Sequence, residues 1–306
     1  MRKIIPYIAI TFAMLIWAGA GIAVKEALMV FTPLTLIVLR FTLAVLLMLV
    51  IGLVFRNNDI VGLQRVSKRD IPLFMLGGLF QPFLYFIFET YTYQSFASPT
   101  IAEALLSTQP VLAPIFALVL LREQITRNNI IGIILSTIGM LMLLLIGSSN
   151  FTLGDPLGIL LAFLTVSMSV SYSIILRRIP ERYSPLSIVF YVQMFSLCLF
   201  YPLWGFTEAD QLLHLSLPLQ NTITPWLAVG SLAIFASVAA FVLFCFTVRK
   251  IGVTRANVFN NIRPVFTAML MWIIFDEILP VWKLIGIVII IVGLFISQKY
   301  EKNNNN

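Results

Sequence analysis

Residues 100–139 read TIAEALLSTQPVLAPIFALVLLREQITRNNIIGIILSTIG, and residues 254–293 read TRANVFNNIRPVFTAMLMWIIFDEILPVWKLIGIVIIIVG. At the constant offset of 154 (254 − 100), Thr100, Ala102, Pro110, Val111, Glu123, Ile131, Gly132, Ile133 and Gly139 each meet the same residue type in the second stretch. Most other pairs exchange one apolar residue for another. Each stretch is an apolar run with an embedded proline, an acidic turn holding Glu123 or Glu277, and a second apolar run. Proline, turn acid and glycines all keep one register, which argues against chance likeness between greasy segments. An internal repeat in so apolar a chain is the mark of a transporter built from two halves.

The composition agrees. The 306 residues are 60% hydrophobic and 11% charged, where a soluble domain is roughly half apolar and a quarter charged. Apolar runs of about twenty residues recur along the chain, each long enough to cross ~30 Å of hydrocarbon as a helix. The net charge of +7 is what basic cytoplasmic loops give a polytopic protein, and it does not call for nucleic acid. Cys198 and Cys245 sit inside apolar runs and form neither a disulfide framework nor a metal spacing. Met1-Arg2-Lys3 followed by an apolar run and Ala18-Gly19-Ala20 mimics a secretory signal. The segment is needed to complete the first half, so it reads as a retained helix.

Turn residues divide the chain into ten expected helices: 4–24, 33–55, 71–93, 98–121, 129–147, 157–177, 185–206, 224–248, 254–275 and 281–298. Between 165 and 173 small polar and larger apolar residues alternate like a strand. Thr165, Ser169 and Ser173 are also spaced four apart, and an open strand cannot satisfy its backbone in lipid, so helix is expected. With the N-terminus in the cytoplasm, 16 of the 20 Lys and Arg residues fall in inside segments and only Lys25 and Lys283 in outside ones. Five helices per half is an odd number, so the second half must sit upside down. The expected fold is an all-α membrane protein with ten transmembrane helices as two inverted five-helix repeats, 1–148 and 149–300. Residues 301–306 form a disordered tail, and both termini are cytoplasmic.

Polar residues within the spans are the candidate site. A charge at mid-membrane costs about 2.5–3.5 kcal/mol on insertion scales, so each asks for a reason. Arg40, Glu89, Glu103 and Arg263 qualify, two bases and two acids, and Arg40 and Arg263 suit a gating or structural pairing role. The third helix carries Gln81, Tyr85, Glu89 and Thr92 at spacings of 4, 4 and 3, one polar and aromatic face. The fourth carries Glu103, Ser107, Pro110 and Pro114, and the repeat places Asn257, Asn261, Pro264 and Ala268 at the equivalent positions. A polar pair followed by a proline on the same face, in both copies, is the strongest site signal, because proline frees backbone carbonyls and permits a bend. Interhelical hydrogen bonding is the alternative role for the asparagines. Trp17 and Tyr172 are weaker candidates for apolar contact, Gln193 suits glue or ligand equally, and lone His214 falls in an outside loop. No metalloprotease, nucleophile-elbow or phosphate-loop pattern occurs, so no enzyme, metal or cofactor is expected.

The string from Trp17 to Lys25, then Pro33 to Phe41 with Arg40 inside it, resembles the opening of EamA-type proteins of the drug/metabolite transporter superfamily. The block with Pro110, the Glu123 turn and Gly132 to Gly139 is similar to that family's repeat, as is its second copy through Glu277, Gly286 and Gly293. The resemblance covers nearly the whole chain. It implies a ten-helix carrier with a central cavity lined by helices 1, 3, 4, 6, 8 and 9, exporting amino acids and other small metabolites across a bacterial inner membrane. Glu89 and Glu103 depart from the neutral residues of many members, which admits cationic or zwitterionic cargo.

The reading is therefore a secondary-active exporter of small metabolites such as amino acids, working by alternating access. Glu103, Ser107, Asn257 and Asn261 bind the cargo's polar groups, Trp17 and Tyr85 give apolar contact, and Pro110 and Pro264 allow gating bends. Protons are the candidate coupling ion, carried on Glu89 or Glu103, and a homodimer is compatible with the sequence. The alternative is a multidrug efflux pump for lipophilic cations, with the same acids as counter-charges.

Overall fold

In a computed structural model of the chain, residues 4–56, 62–95, 105–106, 108–145, 156–209, 223–275 and 280–298 are described. Glu103, Ser107, His214, Glu277 and the expected tail at 301–306 lie outside them. Every regular element among the described residues is helical. In chain order these are α1 (Ile5–Ala27), α2 (Pro33–Val54), α3 (Ile71–Gly78, a π-turn Leu79–Leu84, then Tyr85–Ser95), α4 (Gln109–Leu121), α5 (Arg127–Leu145), α6 (Pro156–Arg178) and α7 (Pro185–Thr207). There follow α8 (Ile223–Ser231, a π-turn Leu232–Ala239, then Ala240–Ile251), α9 (Val253–Val258, a 3₁₀ turn Phe259–Ile262, then Arg263–Phe275) and α10 (Val281–Gln298). Seven of these stretches are long and apolar enough to cross a membrane, and α4 and most of α5 are shorter apolar helices. The segment at 165–173, expected to be helix despite its strand-like alternation, is helix.

Where both are described, matched parts of the two halves have the same local structure. Adding 154 to the bounds of α4, 109–121, gives 263–275, the second part of α9. The same shift carries the π-turn of α3, 79–84, to 233–238, inside the π-turn of α8. Proline explains part of this pattern. Pro110 and Pro264 stand second in matched helices, where a missing N–H costs nothing. Each helix therefore starts afresh just before its proline.

One expected feature is corrected. Gln81 leaves helical geometry (φ −148°, ψ 120°), just before Pro82. The face proposed to run from Gln81 through Thr92 is thus broken after its first member, because Pro82 cannot donate to the ladder. Tyr85, Glu89 and Thr92 share the helix beyond the break.

The helices form two compact units, and each draws on both sequence copies. One comprises residues 1–84 and 175–247, the other 85–174 and 248–306. The chain passes from one unit to the other inside α3, α6 and α8.

In the first unit α2 and α7 run antiparallel, with the Phe41 and Phe200 rings stacked at 6.4 Å and Thr42 bonded to Tyr201 at 2.8 Å. Both helices open on one motif, Thr32-Pro33-Leu34-Thr35 and Ser184-Pro185-Leu186-Ser187. Each start is held by residues at the end of the other helix or just beyond it. The Glu208 carboxylate accepts from Thr32 Oγ1, from the Thr35 amide at 2.9 Å and from Thr35 Oγ1 at 3.2 Å, and Trp204 Nε1 donates to Thr35 at 2.9 Å. At the other start Gln64 Oε1 accepts from the Ser184 amide at 2.6 Å, and the Gly62 carbonyl accepts from Ser187 at 3.2 Å. These contacts satisfy orphan donors of the first helical turn. Nearby, Asp70 accepts from Tyr183 at 2.7 Å and pairs with Arg182. A core of Ala27, Phe31, Leu36, Val229 and Leu232 joins α1, α2 and α8.

In the second unit α5 and α10 cross antiparallel, backbone on backbone. A Cβ placed on Gly132 would lie 2.5 Å from the Gly293 carbonyl, and one on Gly139 would lie 2.7 Å from the Gly286 carbonyl. The repeat turns the first contact into the second, since 132 becomes 286 and 139 becomes 293. Small residues are what permit such approach in lipid, where dispersion replaces the hydrophobic effect. Outward side chains such as Leu118, Ile134 and Val288 are exposed and apolar, as a lipid-facing surface requires.

Gly139→Val should cost about 1–3 kcal/mol by overpacking against backbone. Gly205→Ala, with nothing within 4 Å of the new Cβ, should stay within about 0.5 kcal/mol of wild type, both read as melting in detergent. The Tyr183 hydroxyl, and after it Arg182, holds the Asp70 carboxyl below its ordinary 3.8 against the opposing effect of burial. A carboxylate depressed in the folded state contributes stability above its unfolded value and loses it as pH falls through the folded one. Below about pH 4 the wild-type melting temperature should therefore fall more steeply than that of Asp70→Asn.

Candidate functional site

Membrane helices bury polar side chains only where something meets them, so partners decide roles. In the second unit α9 follows directly on Gly252, whose φ of 91° is glycine's own region. Glu123, in the turn after α4, reaches this start and accepts from the Val253 amide at 2.8 Å and from Thr254 Oγ1 at 3.0 Å. The repeat's turn acid thus fixes the helix that carries the asparagines.

Asn257 is fully buried; its Nδ2 donates to the Val253 carbonyl at 2.9 Å and its Oδ1 accepts from Gln109 Nε2 at 2.6 Å. Gln109 also donates to Ser169 of α6 at 2.8 Å, and Asn260 Nδ2 donates to the Asn257 carbonyl at 3.1 Å. One uncharged cluster of carboxamides and a hydroxyl therefore ties α4, α6 and α9 together beside the 3₁₀ turn. Asn261, also fully buried, turns elsewhere and donates to Ser136 of α5 at 2.9 Å. Tyr172 is buried in α6, and Arg263 and Pro264 open the last part of α9. In α3 the Tyr85 hydroxyl donates to Glu89 at 2.8 Å, so aromatic and acid form one half-buried pair. Thr92 is turned back on the Phe88 carbonyl at 2.8 Å.

In the first unit two expected residues end on the π-turn of α8. Trp17 Nε1 donates to the Ala236 carbonyl at 3.1 Å, with Phe241 and Phe244 rings at 5.3 and 5.4 Å. Arg40, buried, donates from Nε to Ser237 Oγ at 3.0 Å and lies 5.0 Å over the Phe41 ring. Gln193 of α7 donates to the Ser237 carbonyl at 2.6 Å. A widened turn disturbs its own carbonyl ladder, and side-chain donors from α1 and α7 meet the carbonyls there.

Sequence reasoning missed Gln109 as a member of the asparagine cluster and Glu208 as a helix cap. A signal existed for each. Gln109 occupies the repeat position of Arg263, directly before the paired proline, and Glu208 answers the doubled Thr-Pro-Leu-Thr and Ser-Pro-Leu-Ser starts. No group of three or more metal-ligating side chains occurs among the described residues.

The pattern of the EamA-like transporter family matches residues 4–145 and again 156–298. The chain belongs to the EamA-like transporter family. This EamA chain is 27% identical over 300 residues to a Bacillus subtilis protein named uncharacterized transporter YetK, covering 97% of the chain and 87% of that protein. It is 25% identical over 285 residues to a Chlamydia trachomatis protein named S-adenosylmethionine/S-adenosylhomocysteine transporter, covering 91% and 84%. A solved crystal structure superposes with a TM-score of 0.78 at 21% identity, covering 95% of this chain and 97% of that one, which carries the fold. The protein is a multi-pass membrane transporter with two EamA repeats.

Replacing Glu123 by Ala should cost about 1–2 kcal/mol, the loss of a helix cap. The check is thermal melting, with Glu123→Asp expected to fall between wild type and Glu123→Ala.

Proposed function

We propose that this EamA transporter is a secondary-active exporter of small polar or amphipathic metabolites bearing an amino-acid head, working by alternating access of inverted repeats 1–148 and 149–300. Support for the inversion comes from the glycine crossing of α5 and α10, whose two contacts exchange under the repeat. The observation that carries the cargo reading is the buried Gln109, Ser169 and Asn257 cluster at the 3₁₀ break of α9. Carboxamides offer both donors and acceptors, which suits the ammonium and carboxylate of an amino acid without fixing a charge. A broken helix beside them exposes backbone groups for the same purpose.

Within the second unit Gln109 and Asn257 serve the polar head, with Glu103 and Ser107 assigned to it from the repeat, while Asn261 is turned towards Ser136 of α5. Tyr172 adds apolar contact there. Pro110 and Pro264 mark the bends, and Arg40 and Arg263 are structural. The Chlamydia relative supports a cargo that joins a cation to an amino-acid head, since S-adenosylmethionine carries both. Orientation with both termini in the cytoplasm of a bacterial inner membrane rests on the distribution of Lys and Arg.

The Tyr85–Glu89 pair favours a second reading, efflux of lipophilic cations, since a carboxylate beside an aromatic ring suits such cargo. Transport into proteoliposomes separates the two. For the exporter, Gln109→Leu should raise the Km for an accepted amino acid by about tenfold or more, with melting unchanged within a few degrees. Glu89→Gln should leave neutral amino acids moving. Loss of cationic-dye transport alone, with Gln109→Leu silent, would favour the efflux reading. If protons couple transport through these acids, Glu89→Gln with Glu103→Gln abolishes dependence on the pH gradient.

A further inference from the structure

Three side-chain oxygens in the first unit are buried without a hydrogen-bond partner among the described residues: Gln81 Oε1, Gln193 Oε1 and Ser196 Oγ. Gln193 and Ser196 are fully buried and Gln81 is 8% exposed. They belong to one seam. Gln193 and Ser196 stand three apart on α7, hence on one face. Gly78 of α3 presses against that face, where an added Cβ would lie 2.5 Å from the Val192 carbonyl and 3.0 Å from the Ser196 amide. Gln81 follows within the π-turn, at the point where α3 leaves helical geometry.

Orphaned acceptors at such depth are costly, because hydrocarbon offers no substitute partner. Two of the three atoms are amide oxygens that only accept, and the third is a hydroxyl that both donates and accepts. An anion would meet acceptors and be repelled. A metal cation is opposed by the Arg40 guanidinium, which shares Ser237 with Gln193. A small neutral donor answers all three, and water is the one that fits a seam between packed helices.

We propose that the seam between α3 and α7 is a hydration site, with ordered water bridging Gln81, Gln193 and Ser196. Bridging water also gives the broken turn of α3 an exchangeable partner, so the turn can change conformation without stranding a polar group. Helix–helix contact alone would lock it.

Substitution at Ser196 reads the sign. A dry, unpartnered hydroxyl destabilises, so its removal in Ser196→Ala would raise the melting temperature. A hydroxyl bound to water stabilises, and Ser196→Ala should lower the melting temperature by a few degrees. An independent measurement is radiolytic hydroxyl-radical footprinting of Ser196→Cys, with Cys198 and Cys245 replaced by Ala. Oxidation there should run at least threefold faster than at Ala44→Cys, a fully buried apolar position of α2. An unchanged or raised melting temperature for Ser196→Ala, or equal oxidation at the two cysteines, overturns the proposal.

Discussion

A backbone crossing hydrocarbon has no water to lean on, and every amide and carbonyl released from a helix must be met by the protein itself. Much of what distinguishes this chain from a bundle of plain apolar helices answers that constraint. Where α8 widens into a π-turn, Trp17 and Gln193 arrive as donors. Where α9 begins, Glu123 arrives as acceptor. Where α2 and α7 begin, Glu208 and the 62–64 segment do the same. The irregular turns are affordable because their partners were placed on other helices, far away in sequence.

This arrangement explains why the polar residues look scattered along the chain. Gln109 stands 60 positions from Ser169 and 148 from Asn257, and the three meet within one unit. The cluster carries no formal charge, so it escapes the steep cost of ionised groups in lipid while keeping both donor and acceptor capacity. Glu89 is an ionisable residue in the same unit, and a tyrosine hydroxyl rests on it. Hydrogen bonds of both kinds hold helices together whether or not cargo is present, and the same groups can be lent to a passenger.

The helices were legible because their cause is local: apolar length, turn prolines and the doubled register. Boundaries expected at 33–55 and 185–206 meet helices at 33–54 and 185–207. The π-turns were not legible, since Leu79–Leu84 and Leu232–Ala239 differ little in hydropathy from their flanks and only tertiary partners stabilise the widening. Spacing alone assumes an unbroken helix and so places Gln81 on a continuous face that the break at Pro82 interrupts. Asn257 and Asn261 were read as one pair, four apart; the intervening 3₁₀ turn sends one towards Gln109 and the other towards Ser136. Glu103 and Ser107 remain assignments from the repeat.

The matched bounds of α4 and the last part of α9 reach beyond this one molecule. From α1 to α6 the starts differ by 151 positions (156 − 5), from α2 to α7 by 152 (185 − 33), and from α4 to the last part of α9 by 154 (263 − 109). Between these three pairs the offset drifts, yet within each pair the two helices are equal in length to within one residue. An inserted residue in a helix would swing every later side chain by about 100°, whereas the same residue in a loop disturbs nothing that is paired. In these pairs the two copies have diverged by exchanging side chains within the spans and changing the length of the links between them.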